Sequence, residues 1–169
     1  ASEHNLPQWE NSWVFDNAKM YDNSRLWGNA CLFDESSMFD NAQADYCSAM
    51  FGNSSMYDQT WLQTRSRMYG NSELHDHCEM NDESQIFNDV ILRKRVALQG
   101  NAYVTKNEDI LYFELPYVAI TFYAEENETL SIGFLWDEKL DGFDRLSYSA
   151  REFERKFNCN IRLTEKGIV

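Results

Sequence analysis

The chain has 169 residues, of which 43% are apolar and 25% charged, with only 7 Gly and 2 Pro. This composition excludes disorder, collagen and low-complexity sequence, and the length predicts one domain with at most a small appendage. No apolar run reaches the length of a membrane span, and residues 1–10 lack the basic-then-apolar order of a signal peptide. The net charge of −13 argues against direct binding to nucleic acid or to an anionic membrane, because phosphate would be repelled.

The four cysteines, Cys31, Cys47, Cys78 and Cys159, have no paired spacing. Scattered thiols in a chain without a targeting segment are typical of a reducing compartment. We therefore expect a cytoplasmic protein.

An uninterrupted period of six residues runs from Asn11 to Lys106 and gives sixteen hexads without an insertion. The second position is always Ala, Ser, Thr, Cys or Val, and the fourth is Val, Leu, Ile or Met in fifteen hexads, with Ala44 the exception. The sixth position is mostly Asp, Gly or Asn, which tolerate the left-handed backbone of tight corners. Each hexad is therefore predicted to be a short strand with two inward side chains, followed by a corner. Stacked hexads would bury one continuous core.

These hexads, for example NAKMYD and NSSMYD, resemble the hexapeptide-repeat family, and most of all its phage and prophage variety with "NAxVxG" repeats. The resemblance implies a mainly β protein, a left-handed parallel β-helix with three hexads per coil and about five coils. It specifies the fold and not the function, since the family includes enzymes and inert scaffolds. The predicted organisation is a lead-in over residues 1–10, the β-helix over 11–106 and a cap over 107–169.

With eighteen residues per coil, side chains eighteen apart stack about 4.8 Å from each other along three faces. The outward fifth positions of the first face are Phe15, Phe33, Phe51, Tyr69 and Phe87, ending in Thr105. Those of the second face are Tyr21, Phe39, Tyr57, His75 and Arg93. Those of the third face are Trp27, Asp45, Gln63, Asn81 and Gln99. Because monomers rarely expose a large apolar patch, at least one aromatic ladder should be covered. For the first face, we expect the cover to be the cap or a second copy in a homodimer.

The corner after the second face carries an unbroken column of carboxylates, Asp22, Asp40, Asp58 and Asp76. Like charges at this spacing repel, so the column costs stability unless solvent or a cationic partner offsets it. Residues 1–90 have a net charge of −11, with fifteen acidic and four basic side chains, which concentrates the acidity on the β-helix. Two interpretations stay open. In the first, Asp is a favourable corner residue and its charge keeps a β-helix with aromatic faces soluble. In the second, the column imitates the charge of nucleic acid and occupies a basic groove.

Residues 107–169 lose the hexad frame and predict a small α+β cap that seals the open end of the β-helix. Pro116 is expected to break the pairing of the first two predicted strands. Ser149 and Glu152 form a capping box that opens a helix through Asn158. The predicted strands are Ile110–Leu115, Tyr117–Ala124, Thr129–Trp136 and Ile161–Leu163.

No catalytic, cofactor or metal site is predicted. The acyltransferases of the resembled family place a catalytic His and the acyl-donor contacts at loops and subunit edges, whereas this repeat has no inserted loop. His75 and His77 should both point to solvent without a cleft or a positioned partner. Cys78 should be a small buried thiol. Zinc needs three or four ligands, and two histidines do not supply them.

The sequence therefore predicts a non-enzymatic acidic binding protein. The resemblance suggests a phage protein that inhibits a host nucleic-acid-handling defence protein, of the anti-CRISPR or anti-restriction type, as a DNA mimic. The column of four aspartates, with the neighbouring Tyr21, Phe39 and Tyr57, would contact a basic surface of that host protein. The alternatives are a structural, self-assembling β-helix protein and an immunity protein or antitoxin that masks a basic nuclease.

Overall fold

A computed structural model describes residues 5–6, 10–115, 118–125, 130–136, 155, 163–164 and 167–168. Within them, sixteen two-residue strands occupy the third and fourth positions of successive hexads. Strands β1 to β16 are Trp13–Val14, Lys19–Met20, Arg25–Leu26, Cys31–Leu32, Ser37–Met38, Gln43–Ala44, Ala49–Met50, Ser55–Met56, Trp61–Leu62, Arg67–Met68, Glu73–Leu74, Glu79–Met80, Gln85–Ile86, Ile91–Leu92, Ala97–Leu98 and Tyr103–Val104.

The strands stack into three parallel sheets, because every third strand pairs with the next one above it. The first face is β1-β4-β7-β10-β13-β16, the second is β2-β5-β8-β11-β14, and the third is β3-β6-β9-β12-β15. Trp13 lies opposite Cys31 and Val14 opposite Leu32, a register of eighteen residues. The predicted fold class is therefore confirmed: a mainly β protein, a parallel β-helix with three hexads per coil and about five coils.

The core is a column of large side chains lined by small ones. The fourth positions, such as Leu32, Met50 and Leu74, are fully buried, and the second positions, such as Ser54 and Cys78, are buried beside them. Close contact between small and large residues fills the triangular interior without voids, which is how dispersion contributes most to stability.

The corners are left-handed turns. Every sixth residue from Asp16 to Gly100 has a φ between 52° and 72°. At most corners a backbone bond closes the turn, as when Ala18 N–H donates to Phe15 O over 3.1 Å. Asp, Asn and Gly fill most of these positions because they adopt this conformation at the lowest cost. The β-branched Thr64, at a φ of 62°, departs from that rule.

Non-repeat residues lie against both ends of the β-helix. At the start, the buried Asn5 accepts from Leu26 N–H over 3.0 Å, and its side chain donates to Ser24 O over 2.6 Å. At the other end, a 3₁₀ turn at Asn107–Asp109 leads into the cap. Free strand ends are thus paired where a bare solenoid would expose them.

The described part of the cap is a three-stranded antiparallel sheet, β17 at Ile110–Leu115, β18 at Val118–Ala124 and β19 at Leu130–Trp136. The predicted break at Pro116 is wrong, because β17 and β18 pair along their whole length as far as Leu115 opposite Val118. Two short strands follow, β20 at Leu163–Thr164 and β21 at Gly167–Ile168.

The cap sheet contacts the last coil rather than the outer faces of earlier coils. Ala97 N–H donates to Thr121 Oγ1 over 3.1 Å, and Ala102 forms an isolated bridge with Glu125. Tyr123 is 2% exposed and joins the main core. Apart from the helical Arg155, the predicted helix up to Asn158 lies outside the described residues, as do positions 161 and 162 of the last predicted strand. No helix in the described part of the chain is long and apolar enough to cross a bilayer.

Candidate protein-binding surface

The second face carries a continuous stack of aromatic rings, the second-face ladder of Tyr21, Phe39, Tyr57 and His75. The successive ring centroids are 4.7, 4.9 and 4.6 Å apart, and the ring planes are within 8° of parallel. Since the rings cover one another's faces, their edges point to solvent. Ring edges carry the positive end of the aromatic quadrupole.

Beside this ladder lies the second-corner row, Asp22, Asp40, Asp58 and Asp76. All four side chains are exposed. Each carboxylate accepts the backbone N–H of the corner residue in the next coil, with Asp58 N–H bonded to Asp40 over 3.2 Å and Asp76 N–H to Asp58 over 2.9 Å. The row ends where Lys94 N–H donates to Asp76 over 2.7 Å.

These bonds give the column a structural cause that the sequence prediction lacked. A carboxylate that accepts a backbone N–H forms a charge-assisted bond, which offsets part of the repulsion between neighbours. Only the Oδ2 atom of each carboxylate takes part, as at Asp22, where it accepts from Asp40 N–H over 3.4 Å. The row is therefore held in place by the fold and still presents charge to solvent.

The corner before the second face is acidic in the first two coils. Its first-corner row consists of Asp16, Asp34 and Glu35, all exposed. Asp34 accepts from Gly52 N–H over 2.8 Å, and Glu35 accepts from the Asn17 side chain over 2.6 Å. The sequence prediction concerned only the second corner, although the place of Glu35 in this row follows from its spacing of eighteen residues from Asn17.

The first face carries the longer stack, the first-face ladder of Phe15, Phe33, Phe51, Tyr69 and Phe87. Its ring centroids are 4.7 to 5.1 Å apart. Thr105 follows Phe87 in the register of this sheet, as predicted, and the Phe87 ring also meets the ring of Tyr103, tilted by 45° at 4.6 Å. Trp13 and Phe15, at 60% and 39% exposure, leave the first coil of this face open.

The fifth positions of the third face are polar beyond its first coil, as predicted, but Trp61 in β9 is exposed on the same face. Arg25 lies over the Trp27 ring, 5.8 Å from the centroid. Asp45 follows in the next coil, where burial raises the pKa of its carboxyl and Oδ1 has no hydrogen-bond partner. This face therefore offers neither an aromatic ladder nor a row of anchored carboxylates.

The structure places the side chains of the His75–Cys78 segment in different surroundings. His77 is exposed as predicted. His75 is a member of the second-face ladder and its ring nitrogen bonds Glu73 over 2.7 Å, so the prediction that it has no positioned partner is wrong. Cys78 is fully buried, and burial raises the pKa of its thiol to about 12. No three His, Cys, Asp or Glu side chains within the described ranges are placed to share a metal ion.

Comparison with protein-family models, curated proteins and solved structures gives no match for this chain. The chemistry of the surface is thus the guide to what the protein binds.

Proposed function

We propose that this protein binds a basic surface of a nucleic-acid-handling protein and blocks it by occupying the place of nucleic acid. The observation that carries the proposal is the second-corner row, four exposed carboxylates in register beside a half-buried aromatic ladder. If the chain is encoded by a phage, as the repeat resemblance suggests, the target would be a host defence nuclease or its effector in the host cytoplasm.

The anchoring of the row supports recognition by charge. Carboxylates fixed by backbone N–H groups, such as Asp58 and Asp76, lose little side-chain freedom when a partner cation arrives. Preorganised groups bind with a smaller entropic cost than flexible ones. Their spacing follows the coils, about 4.8 Å, against about 3.4 Å of axis per phosphate along one strand of DNA.

The aromatic ladder supplies the apolar part of the surface. Tyr21 is 41% exposed, and the ring edges of Phe39 and Tyr57 lie between it and His75. Steering by charge sets the rate of association, while desolvated aromatic contacts set most of the affinity. The target surface would therefore combine cations with apolar side chains.

Self-assembly is the second candidate, and the first face favours it. Its ladder has five rings and an exposed Trp13 at one end, with Cys31 and Ala49 on the same sheet. A second copy of this chain could cover it in a homodimer. An immunity protein or antitoxin would share the acidic surface and differ only in its target.

The test is a pull-down from bacterial lysate with wild type and with the variant Asp22→Asn/Asp40→Asn/Asp58→Asn/Asp76→Asn. Asparagine keeps an oxygen that accepts the backbone N–H and tolerates the left-handed corner, so the variant removes charge with the fold preserved. The binding would be run at about 0.1 M and about 1 M salt, where the Debye length is about 10 Å and about 3 Å.

A matched control removes the same number of charges elsewhere, at Glu10→Gln, Asp45→Asn, Asp82→Asn and Glu83→Gln. In the control, Glu10 and Asp82 also accept backbone N–H groups, from Gly28 and from Gly100. We expect wild type and control to retain a basic nucleic-acid-binding protein at low salt and the row variant to lose it. Equal recovery by all three proteins, or recovery that does not respond to salt, would contradict the proposal.

A further inference from the structure

The second face is bounded by carboxylates along one long edge and, in its first two coils, along the other. The first-corner row, Asp16, Asp34 and Glu35, precedes the face, and the second-corner row of four aspartates follows it. The two corners are six residues apart in the chain, which limits the distance between the rows to about 20 Å. The aromatic ladder lies directly beside the second-corner row, since Tyr21 precedes Asp22, and is separated from the first corner by the third-position residues of the strands, Lys19, Ser37, Ser55 and Glu73.

Basic side chains lie at the two ends of the second face. Lys19 lies in the first coil on the same sheet, and Arg93, Lys94 and Arg95 follow one another in the last. Between these limits the second-corner row extends over three coil spacings, about 14 Å. That length equals about ten residues of α-helix at about 1.5 Å per residue.

A second copy of the chain does not suit this face. Homodimer interfaces place the same patch of both subunits against itself. Here that would bring the rows of Asp40 and Asp34 against the same rows of the partner, and like charges juxtaposed at an interface oppose association. The obstacle is smaller on the first face, which shares the first-corner row but carries Gly28, Tyr46 and Thr64 at its other corner in the first three coils.

An added β-strand does not suit it either. Strand addition needs free backbone groups at a sheet edge. On the second face these groups are used between coils, since Tyr21 N–H donates to Met38 O and Phe39 N–H to Met56 O, both over 2.9 Å. Only side chains are offered to a partner here.

We propose that the second face binds a basic amphipathic α-helix lying lengthwise along the β-helix axis. Its apolar stripe packs on the ring edges of Tyr21, Phe39 and Tyr57. Lys or Arg residues on one flank reach the adjacent second-corner row, and those on the other flank reach across the face to the first-corner row in the first two coils. A helix is about 10–12 Å across, within the upper limit of about 20 Å between the rows, and its pitch of about 5.4 Å is close to the coil spacing. This inference rests on the proposed function, because it names the element of the target that the surface would bind.

The experiment uses a cross-linked helical peptide of about 15 residues, about 22 Å long, with a Leu stripe flanked by Arg on both sides. A second peptide of the same composition has its Arg residues moved to the face opposite the Leu stripe. Affinities for the full chain would be measured by fluorescence anisotropy, and the binding site would be mapped from backbone amide chemical shifts.

Three variants give the contrast. They are the second-corner row variant described above, a first-corner variant (Asp16→Asn/Asp34→Asn/Glu35→Gln), and a control of three charges on the third corner (Glu10→Gln/Asp82→Asn/Glu83→Gln). With roughly a factor of two per exposed ion pair, we expect about a tenfold loss for the second-corner variant and about a fivefold loss for the first-corner variant. The control should stay within about twofold, and the rearranged peptide should bind at least about tenfold more weakly than the flanked one.

The inference would be overturned if the affinity did not fall in either row variant, if the chemical-shift changes mapped to the first face, or if both peptides bound with equal affinity. A lack of binding by the flanked peptide would also overturn it. These outcomes can be distinguished from those of the pull-down. If a basic partner is captured through the aspartates but the peptide does not bind, the helix-binding inference fails and the proposed function stands. If the peptide binds but no partner is captured, the helix-binding inference stands and the proposed function fails.

Discussion

The first and second faces of the β-helix carry the same kind of aromatic ladder between different corners. The first-face ladder has five stacked rings and shares only one of its two corners with an acidic row. The second-face ladder is shorter and lies between two such rows. The comparison teaches that the corners, and not the strands, decide what each face can bind. The first-face ladder has no carboxylate on its other border from Gly28 to Thr64 and suits an uncharged cover, whereas the second-face ladder lies directly beside four successive aspartates and suits a cationic partner.

The corners also explain why one acidic row is long and the other short. At the first corner the chain changes from Asp34 to Gly52 and Gly70. A Cβ at Gly52 would lie 2.8 Å from Gly70 O, so no side chain fits there without moving the backbone of the next coil. At the second corner the left-handed positions are Asp in four successive coils, and each side chain bonds the coil that follows.

Among substitutions on the faces and corners, the largest stability effect is expected from loss of a ring in the middle of a ladder. Phe51→Ala removes stacking with Phe33 and Tyr69, and Phe39→Ala removes stacking with Tyr21 and Tyr57. Two stacked pairs at about 0.5–1.5 kcal/mol each predict a loss of about 2 kcal/mol in the free energy of unfolding for either variant. Urea denaturation followed by circular dichroism would measure both.

The same pair of variants separates the two faces in solution. If the chain dimerises, sedimentation velocity should show that Phe51→Ala weakens the dimer and Phe39→Ala leaves it intact. A dimer that responds to Phe39 and ignores Phe51 would break the comparison between the faces.

A smaller effect distinguishes the corners. Gly52 and Gly100 both have left-handed φ values, 71° and 60°, but an added Cβ at Gly100 would meet no atom within 4 Å. Both Ala variants should lose about 1 kcal/mol from the backbone conformation. Gly52→Ala should lose at least about 1 kcal/mol more, because of the contact with the stacked coil. Equal losses in thermal unfolding would show that the coils do not approach more closely at Gly52.

The smallest expected effect concerns Asp45 on the third face. This residue belongs neither to an aromatic ladder nor to an acidic row. Burial raises the pKa of its carboxyl, so the ionised form costs stability at neutral pH. Asp45→Asn should stabilise the protein at pH 7 by roughly 0.5 kcal/mol or less. As the pH falls through the raised pKa, wild type becomes neutral at this position and the difference should shrink. A difference that grows at acid pH in thermal unfolding would contradict this reading.

The β-helix was predictable because its rule is local and repeated sixteen times. One small residue, one large residue and one left-handed corner residue per hexad determine the strand, the inward side chains and the turn. The register followed from the same count, and with it the stacking of Phe33 on Phe51 and of Phe39 on Tyr57.

What escaped prediction depends on contacts that occur once. The bond from His75 to Glu73, the ring of Tyr103 beside Phe87 and the pairing across residues 116–117 are set by single neighbours and not by the period. The function of the aspartates within the fold was missed for another reason. Sequence spacing shows that Asp40 and Asp58 are stacked, but it does not show a carboxylate turned toward the next backbone N–H.

The measurement that tests the central claim most directly is a competition between this chain and nucleic acid for the captured target. Labelled duplex DNA would be bound to the target, and wild type or the second-corner variant would be added at about 0.1 M salt. The account predicts that wild type displaces the DNA and that the Asn variant needs about tenfold more protein to do so. A ternary complex in which target, DNA and this chain are bound together would contradict it.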